Sequence, residues 1–491
     1  MLFKLFAYTL FLPLFLTRWL LWLAIFQQKE YRLDRLRVYL KTSQGKNDLV
    51  KIIPAYSDLS RKKLKRPKLT WRIIVTASLS AGMIVGLLKL ISSGTIFQLS
   101  LILVLVIVAM PLIIYLVSLP LQVGKYFITL FIMWLASWKI KQASPIIVGI
   151  TGSYGKTSTK HLLPHLLSTQ TTVFASQRSF NTPVSLALDI LRRYKNEKIT
   201  VFEYAAYKPG EIKKLANIFK PHLAVITGFT TQHLATFGSQ ERIVQAKAEL
   251  ILALPAKGTV FFNQADEGVG AIVDYAMSRS VVELQLQPFN STQDNTQLQL
   301  DNKGRLKLQI DKHSVQSQLI GKQYRSIIFG AAAVAQHFKI PSKQIVASIE
   351  SFMPDDSYVR FFRHKQGFWV IDDGRTCNPA GFKAAIELTQ QLLEKRQLTG
   401  KCILFTSGII DLGEVSRSTH QQLAKEARQI FSQVVYLGEP GQDEFKAAFG
   451  DKLINTEESA KGILPLLSVN DLILVEGRLP IWLAKSLEIK Q

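Results

Sequence analysis

The sequence predicts an α/β protein with a membrane-embedded helical N-terminal region, a central phosphate-loop domain and a Rossmann-like C-terminal domain. Three observations predict it. Apolar stretches long enough to span a bilayer are confined to residues 1–142. From Ile146 onward, β-branched runs alternate with helical patterns, which argues a mostly parallel sheet covered by helices. At the first strand-to-helix junction stands a glycine turn followed by Lys156-Thr157.

The first 142 residues read as an anchor. Ile73–Ile91 and Ile96–Leu119 are firm candidate spans, and Leu5–Phe26, carrying Pro13 and Arg18, is a weaker one. No small-x-small cleavage site follows the first stretch, so it is not read as a signal peptide. A fourth stretch, Leu121–Trp138, contains Lys125 and ends in Trp134, Trp138 and Lys139; it either spans or lies in the interface. The net charge is +24, and residues 1–147 hold 20 Lys/Arg against 4 Asp/Glu, so +16 sits there and +8 in the rest. That skew argues against a uniformly basic nucleic-acid binder and for a membrane-proximal basic segment. Segment 27–70, which ends in RKKLKRPK, is expected on the cytoplasmic side, and the uncharged loop 92–95 outside. The chain then returns to the cytoplasm through Ile96–Leu119, and the fourth stretch is expected as an interfacial helix leading into the catalytic part. The expected location is the cytoplasmic membrane, multi-pass. Two cysteines, Cys377 and Cys402, give no disulfide framework and no Cys-rich zinc site.

The central domain is expected over residues 143–353. Ile146, Ile147, Val148 and Ile150 read as a buried strand, Gly152-Ser153-Tyr154-Gly155 as a turn, and Lys156-Thr157-Ser158-Thr159 as a helix start. Such a turn aims backbone N–H groups and a helix N-terminus at a polyphosphate; Lys156 would reach the β/γ-phosphates and the Thr157 hydroxyl would ligate Mg²⁺. The strict Walker form is not met, because its first glycine would fall on Ile150. Strands then follow at Thr172–Ala175, Lys198–Glu203, His222–Thr227 and Thr259–Asn263, with helices at Lys160–Thr169, Glu211–Phe219 and Ser239–Leu254. Val281–Leu319 changes to a period of two and reads as a small antiparallel insertion turning at Asp301–Gly304. Helices at Ser326–His337 and Ser342–Phe352 close the domain. A second doubly wound unit is expected over 354–491, with strands at Phe368–Asp372, Cys402–Thr406, Gln433–Leu437 and Asp471–Val475.

Glu203 ends its strand close to where a phosphate-bound metal should sit. His233 lies in the loop TGFTTQHLATFGS and Lys247 in the helix QERIVQAKAEL. Together with TGSYGKTSTK, FFNQAD, VIDDGRTCNPAGFKAAIE and LFTSGIIDLGE, these segments resemble, in order, the motifs of the Mur ligases, ATP-dependent amide ligases of peptidoglycan precursor synthesis. The likeness runs from about residue 145 to the end. Within the family it points to the branch that adds D-alanyl-D-alanine to UDP-N-acetylmuramoyl-tripeptide. The resemblance implies an ATP site on Gly152, Ser153, Gly155, Lys156, Thr157 and Ser158, with Asn263 on the adenine. It implies a first Mg²⁺ on Thr157 and Glu203 and a second on His233. Lys156, His233 and Lys247 would carry the catalysis, with Lys247 a possible carbamate, and Arg360, Asp372, Asp373 and Asn378 would complete the nucleotide site. An acyl phosphate formed from ATP would then be captured by an amine.

The match also departs from the family. Its Asn-rich segment is reduced to Asn181, Arg375-Thr376 stand for the usual Tyr-Asn, and Glu476 stands where a lysine is common. Membrane segments precede the resemblance where the family has its UDP-binding domain. Three readings stay open: a membrane-anchored ligase adding an amino acid or dipeptide to a UDP-linked or lipid-linked cell-wall precursor; a similar ligase with a polyglutamate-type or cofactor-type acceptor; and a non-catalytic ATP-binding recruitment module. The metal-ligand set argues against the last.

Overall fold

The structure, a computed structural model, describes residues 2–29, 31, 33–51, 69–90, 95–177, 180–231, 234–290, 298–375 and 377–489. It falls into two units, Met1–Phe131 and Ile132–Gln491.

The first unit is helical: Leu2–Gln28, Leu33–Lys41, Ser43–Val50, Trp71–Leu90 and the start of Ile96–Ala143. Its core gathers Leu21, Trp22, Ile25 and Phe26 with Ile84, Val106, Met110 and Ile114. Arg18, the charge inside the first apolar stretch, is buried. Its guanidinium donates to the carbonyls of Ile107 at 2.7 Å, Leu49 at 3.0 Å and Lys51, so the cost of burying the group is met by backbone acceptors. Outward faces carry Ile74, Leu79, Val85, Leu101, Leu105 and Leu112. Among the described residues one segment, Val104–Ala143, is long and apolar enough to cross a membrane; Trp71–Gly86 is a shorter apolar helix. The fourth apolar stretch is not a separate helix. It continues the preceding one through Pro111, Pro120 and Gly124 as a single 48-residue element. The basic run 61–68 and loop residues 92–94 lie outside the described residues.

Among the described residues three sheets build the second unit. The first is six-stranded and wholly parallel: β1 (Ile146–Thr151), β2 (Val173–Ala175), β3 (Ile199–Glu203), β4 (Leu223–Ile226), β5 (Thr259–Asn263) and β6 (Gln285–Phe289), in the order β2-β3-β1-β4-β5-β6. Alternate residues of each strand feed two cores. Val148, Ile150, Val201 and Phe261 pack with Leu162, Leu166 and Ile328; Ile147, Phe202 and Val260 pack with Ile212, Ile243 and Leu250. Each such fully buried side chain is worth about 2 kcal/mol. The last turns of the long apolar helix join the second core through Ala136 and Ile140. Ser137 Oγ donates to Ile218 O at 3.2 Å, and Lys139 Nζ reaches Ile190 O and Leu191 O at 3.2 and 3.3 Å. They satisfy end carbonyls of helices Glu211–Ile218 and Pro183–Arg193.

The expected antiparallel insertion is smaller than the sequence suggested. Gln285–Phe289 is the parallel edge strand of the main sheet, its polar residues and Pro288 facing solvent. The insertion proper is β7 (Gln299–Leu300), β8 (Arg305–Ile310) and β9 (His313–Ile320), antiparallel, with the predicted Asp301–Gly304 turn in place. The third sheet comprises β10 (Arg360–Arg363), β11 (Trp369–Asp373), β12 (Cys402–Thr406), β13 (Gln433–Tyr436), β14 (Leu453–Ile454) and β15 (Leu472–Glu476). Its order is β10-β11-β15-β12-β13-β14, parallel except for β10. The fold is thus mixed α/β with mostly parallel sheets.

Candidate active site

From β1 the chain moves out to the edge strand β2, returns to β3 and crosses to β4 on the other side of β1. The carboxyl ends of β1, β3 and β4 therefore frame a topological switch point, where open α/β sheets bind ligands. The glycine turn follows β1 there. Gly152 and Gly155 have φ of 153° and 79°, and a Cβ on Gly152 would overlap the Thr227 hydroxyl, so the turn requires glycine at both positions. Helix Lys156–Leu167 opens on Gly155 with no side-chain cap, leaving its first N–H groups for a ligand. Ser153 Oγ donates to Thr230 O at 3.2 Å. Ser158 contributes its carbonyl, which accepts from the Tyr358 hydroxyl at 3.3 Å.

Lys156 folds back on its own turn, its Nζ 2.7 Å from Gly152 O and 3.0 Å from Ser153 O. The register places Glu203 opposite Ile150, two residues before the turn. Glu203 is buried; it accepts from Thr157 Oγ1 at 3.0 Å and Asn181 Nδ2 at 3.4 Å, and Lys160 Nζ stands 3.5 Å away. Lys247, on helix Gln240–Leu252, is buried too. Burial pushes its ammonium well below the usual lysine value, the Lys156 charge adds to this, and Glu203 and Glu249 oppose it. Burial also lowers Lys156, against the pull of Glu203. One carboxylate thus serves three lysines.

Sequence reading missed Lys160, a residue type usually found on the surface; its signal was the four-residue spacing from Lys156, which puts both on one helix face. It also missed Asp266, which accepts from the Tyr154 hydroxyl and from Phe229 N, both at 2.9 Å, and caps helix Glu267–Met277. His233 lies outside the described residues. Asn263 is buried, its Nδ2 donating to Thr227 O at 3.2 Å and its Oδ1 accepting from Asn290 at 2.7 Å.

In the third sheet Arg360 lies in register with Asp372 and pairs with it and with Asp356. Asp373 lies beside Glu476 on the neighbouring strand. Asn378 caps helix Pro379–Arg396 through Gly381 N at 3.0 Å. Among the described residues no hydrogen bond or ion pair joins Arg360, Asp372, Asp373 or Asn378 to the phosphate loop. The structure gathers Gly152, Lys156, Thr157, Glu203 and Lys247 and holds those four apart from them.

A hydroxyl and a carboxylate that meet at 3.0 Å are hard oxygen donors, which suits Mg²⁺ completing its shell with water and phosphate. Among the described residues there is no cluster of three or more His, Cys, Asp or Glu side chains able to hold a metal.

Residues 150–335 match the family model described as "Mur ligase middle domain". This stretch of the chain is similar to the middle domain of the Mur ligases. Over 304 residues it is 29% identical to the UDP-N-acetylmuramoyl-tripeptide–D-alanyl-D-alanine ligase of Mycobacterium tuberculosis, covering 60% of this chain and 58% of that protein. The Bacillus subtilis protein of the same name is 25% identical over 293 residues, 59% of this chain and 61% of its own. The chain therefore spans about three-fifths of the length of these relatives. Among solved structures it resembles MurF from Acinetobacter baumannii, with TM-score 0.63, 22% identity, and 73% and 79% of the two chains covered. For the ADP complex of MurF ligase from Thermotoga maritima the values are 0.60, 23%, 74% and 83%. For a folylpolyglutamate synthase of Mycobacterium tuberculosis they are 0.54, 14%, 70% and 92%. These likenesses show the fold.

Proposed function

We propose that the chain is a membrane-anchored, ATP-dependent amide ligase of the Mur type. The observation that carries this is the convergence of Lys156, Thr157, Glu203 and buried Lys247 at the switch point of a Mur ligase middle domain. A substrate carboxylate attacks the γ-phosphorus of ATP; the new O–P bond forms as the P–O bond to ADP breaks. An amine then attacks the acyl carbon and phosphate leaves. Two anions meet in the first step, so fixed positive charge lowers its barrier. Lys156 supplies part of it by leaving the turn carbonyls for the phosphates. Thr157 and Glu203 would hold Mg²⁺, which when bound supplies further charge compensation at the phosphates. His233 is proposed for a second ion. Because burial favours the uncharged amine of Lys247, that side chain is suited to take up CO₂ as a carbamate. Asp372, Asp373 and Arg360 would come onto the nucleotide when the C-terminal domain closes, excluding water that would hydrolyse an acyl phosphate.

The acid is proposed to be a cell-wall precursor, UDP-linked or lipid-linked, and the amine D-alanyl-D-alanine or an amino acid. The names of the relatives support this. The likeness to a folylpolyglutamate synthase over 92% of its length favours, as a second reading, an acceptor without a sugar nucleotide. Exposed apolar side chains on Trp71–Leu90 and Ile96–Ala143 support insertion in the cytoplasmic membrane; resistance of the protein to alkaline carbonate extraction tests it. The activity test is phosphate release by the detergent-purified protein with MgATP and UDP-N-acetylmuramoyl-tripeptide, with and without D-alanyl-D-alanine. Release is expected to need both substrates and to fall at least a thousandfold in Lys156→Ala. Release that survives in Lys156→Ala refutes the assigned site.

A further inference from the structure

Because the first sheet is parallel, every connection that enters a strand meets at one rim, opposite the rim that holds the phosphate loop. That entry rim is basic. Lys141 stands before β1, and Arg192, Lys195 and Lys198 stand before β3; all four are exposed. Lys220 before β4, Lys257 before β5 and Arg279 before β6 are exposed as well. Among the described residues none of these seven cations is paired with a carboxylate. The same connections hold only two acids, Glu283, which is exposed, and Glu197, which is half-buried and accepts from Lys195 N at 2.7 Å. The last turns of the long apolar helix arrive at this rim, where Ser137 and Lys139 meet the carbonyls of Ile218 and Ile190. Trp134 and Trp138 on those turns are exposed. Tryptophans followed by lysines at the end of an apolar helix have the composition of a membrane–water interface.

Resting on the membrane-anchored reading above, we infer that this rim is a docking surface for anionic lipid, with Trp134 and Trp138 at the level of the headgroups. Charge complementarity identifies the occupant, since a bilayer that carries acidic phospholipid attracts each cation lying within a Debye length, about 8 Å at physiological salt. A nucleic acid would meet the same charges, but it gives no reason for them to share a rim with the end of a 48-residue apolar helix. The anchor already confines the domain to the surface, so the seven charges act on its orientation. Docked by this rim, the sheet stands with the carboxyl ends of its strands turned away from the lipid. The phosphate loop is lifted from the headgroups by one strand length, roughly 17 Å for the six residues of β1, and opens to the aqueous side.

The test uses the full chain in lipid nanodiscs, of phosphatidylcholine alone or with one third phosphatidylglycerol, and reads hydrogen exchange by mass spectrometry. One variant combines Lys195→Gln, Lys198→Gln and Lys220→Gln, all at exposed positions; a second places arginine at the same three and keeps the charge. In the anionic discs, segments 192–198, 219–222 and 254–258 are expected to exchange severalfold more slowly than in the neutral ones. The loop 204–210 at the opposite rim should not change. High salt or the glutamine variant should remove the protection, and the arginine variant should retain it. Equal protection in both kinds of disc overturns the recognition of anionic lipid. No protection in either overturns the docking and leaves the anchor and ligase readings intact. Protection by added polyuridylate, with none from anionic lipid, overturns it in favour of a nucleic-acid surface. Wild-type protein that fails to enter neutral discs overturns the membrane-anchored reading itself, and the inference with it.

Discussion

Glu476→Gln should stabilise the third sheet, and more so as pH rises. Glu476 ends β15 in register with Asp373 at the end of β11, fully buried, and no Lys or Arg among the described residues pairs with either. Burial first, and the neighbouring carboxylate second, push Glu476 well above its ordinary value of 4.5; burial and Asp372 push Asp373 up as well. The folded protein therefore keeps a proton on Glu476 that the unfolded chain has released, so stability is full below pH 4.5 and falls as pH rises. Each pH unit between the unfolded and the folded value costs about 1.4 kcal/mol. Ionising both carboxylates, on adjacent strands about 4.8 Å apart at an effective dielectric near 20, costs about 3.5 kcal/mol. Glutamine has the same shape, cannot ionise, and still donates toward Asp373. Hydrogen exchange of the 369–373 and 472–476 segments, read by mass spectrometry, should show protection raised roughly a hundredfold over wild type at pH 7.5 and by only a few-fold at pH 5. An equal gain at both pH values would show that packing, not the proton, is responsible. A loss at pH 7.5 would refute the reasoning, because it would mean that Glu476 is ionised and held by a cation.

Three further outcomes follow from the geometry. Gly152→Ala should abolish nucleotide binding and cost about 1–3 kcal/mol in thermal unfolding, since it adds positive-φ strain to overlap with Thr227; Thr227→Ala in the same chain should recover part of the stability. Phosphate release should fall when CO₂ and bicarbonate are stripped from the buffer if Lys247 works as a carbamate, and Lys247→Ala should lose at least a hundredfold with no bicarbonate response. Asn290→Ala frees Asn263 from its 2.7 Å partner and should weaken ATP binding severalfold, measured by calorimetry, with phosphate-loop residues untouched.

Short-range pattern made the phosphate loop and the βα alternation legible, because a glycine turn between a buried strand and a helix is written in adjacent residues. Glu203 was legible for the same reason, standing at the end of an apolar run. What failed depends on partners distant in sequence. Gln285–Phe289 alternates polar residues because it is an edge strand, and an edge strand of a parallel sheet has the same period as a hairpin. Leu121–Trp138, with Lys125 inside it, reads as a stretch of its own, and the structure absorbs it into one long helix. Asn378, which the resemblance gives as a nucleotide contact, also caps helix Pro379–Arg396, a role that depends on where that helix begins. Lys160 has only its spacing from Lys156 as a local signal, because it is buried beside Glu203, a residue distant in sequence.

The long apolar helix has a consequence for anyone cutting the chain. A soluble fragment started at residue 143 would keep every described strand yet lose Ala136 and Ile140 from its core, about 3 kcal/mol of apolar burial, and the Ser137 and Lys139 bonds to the helix-end carbonyls of Ile218 and Leu191. A fragment started near residue 130 would keep them and retain Trp134 and Trp138 as exposed surface. The natural seam for expression thus lies inside a continuous helix, a dozen residues before the point where its hydrophobicity ends.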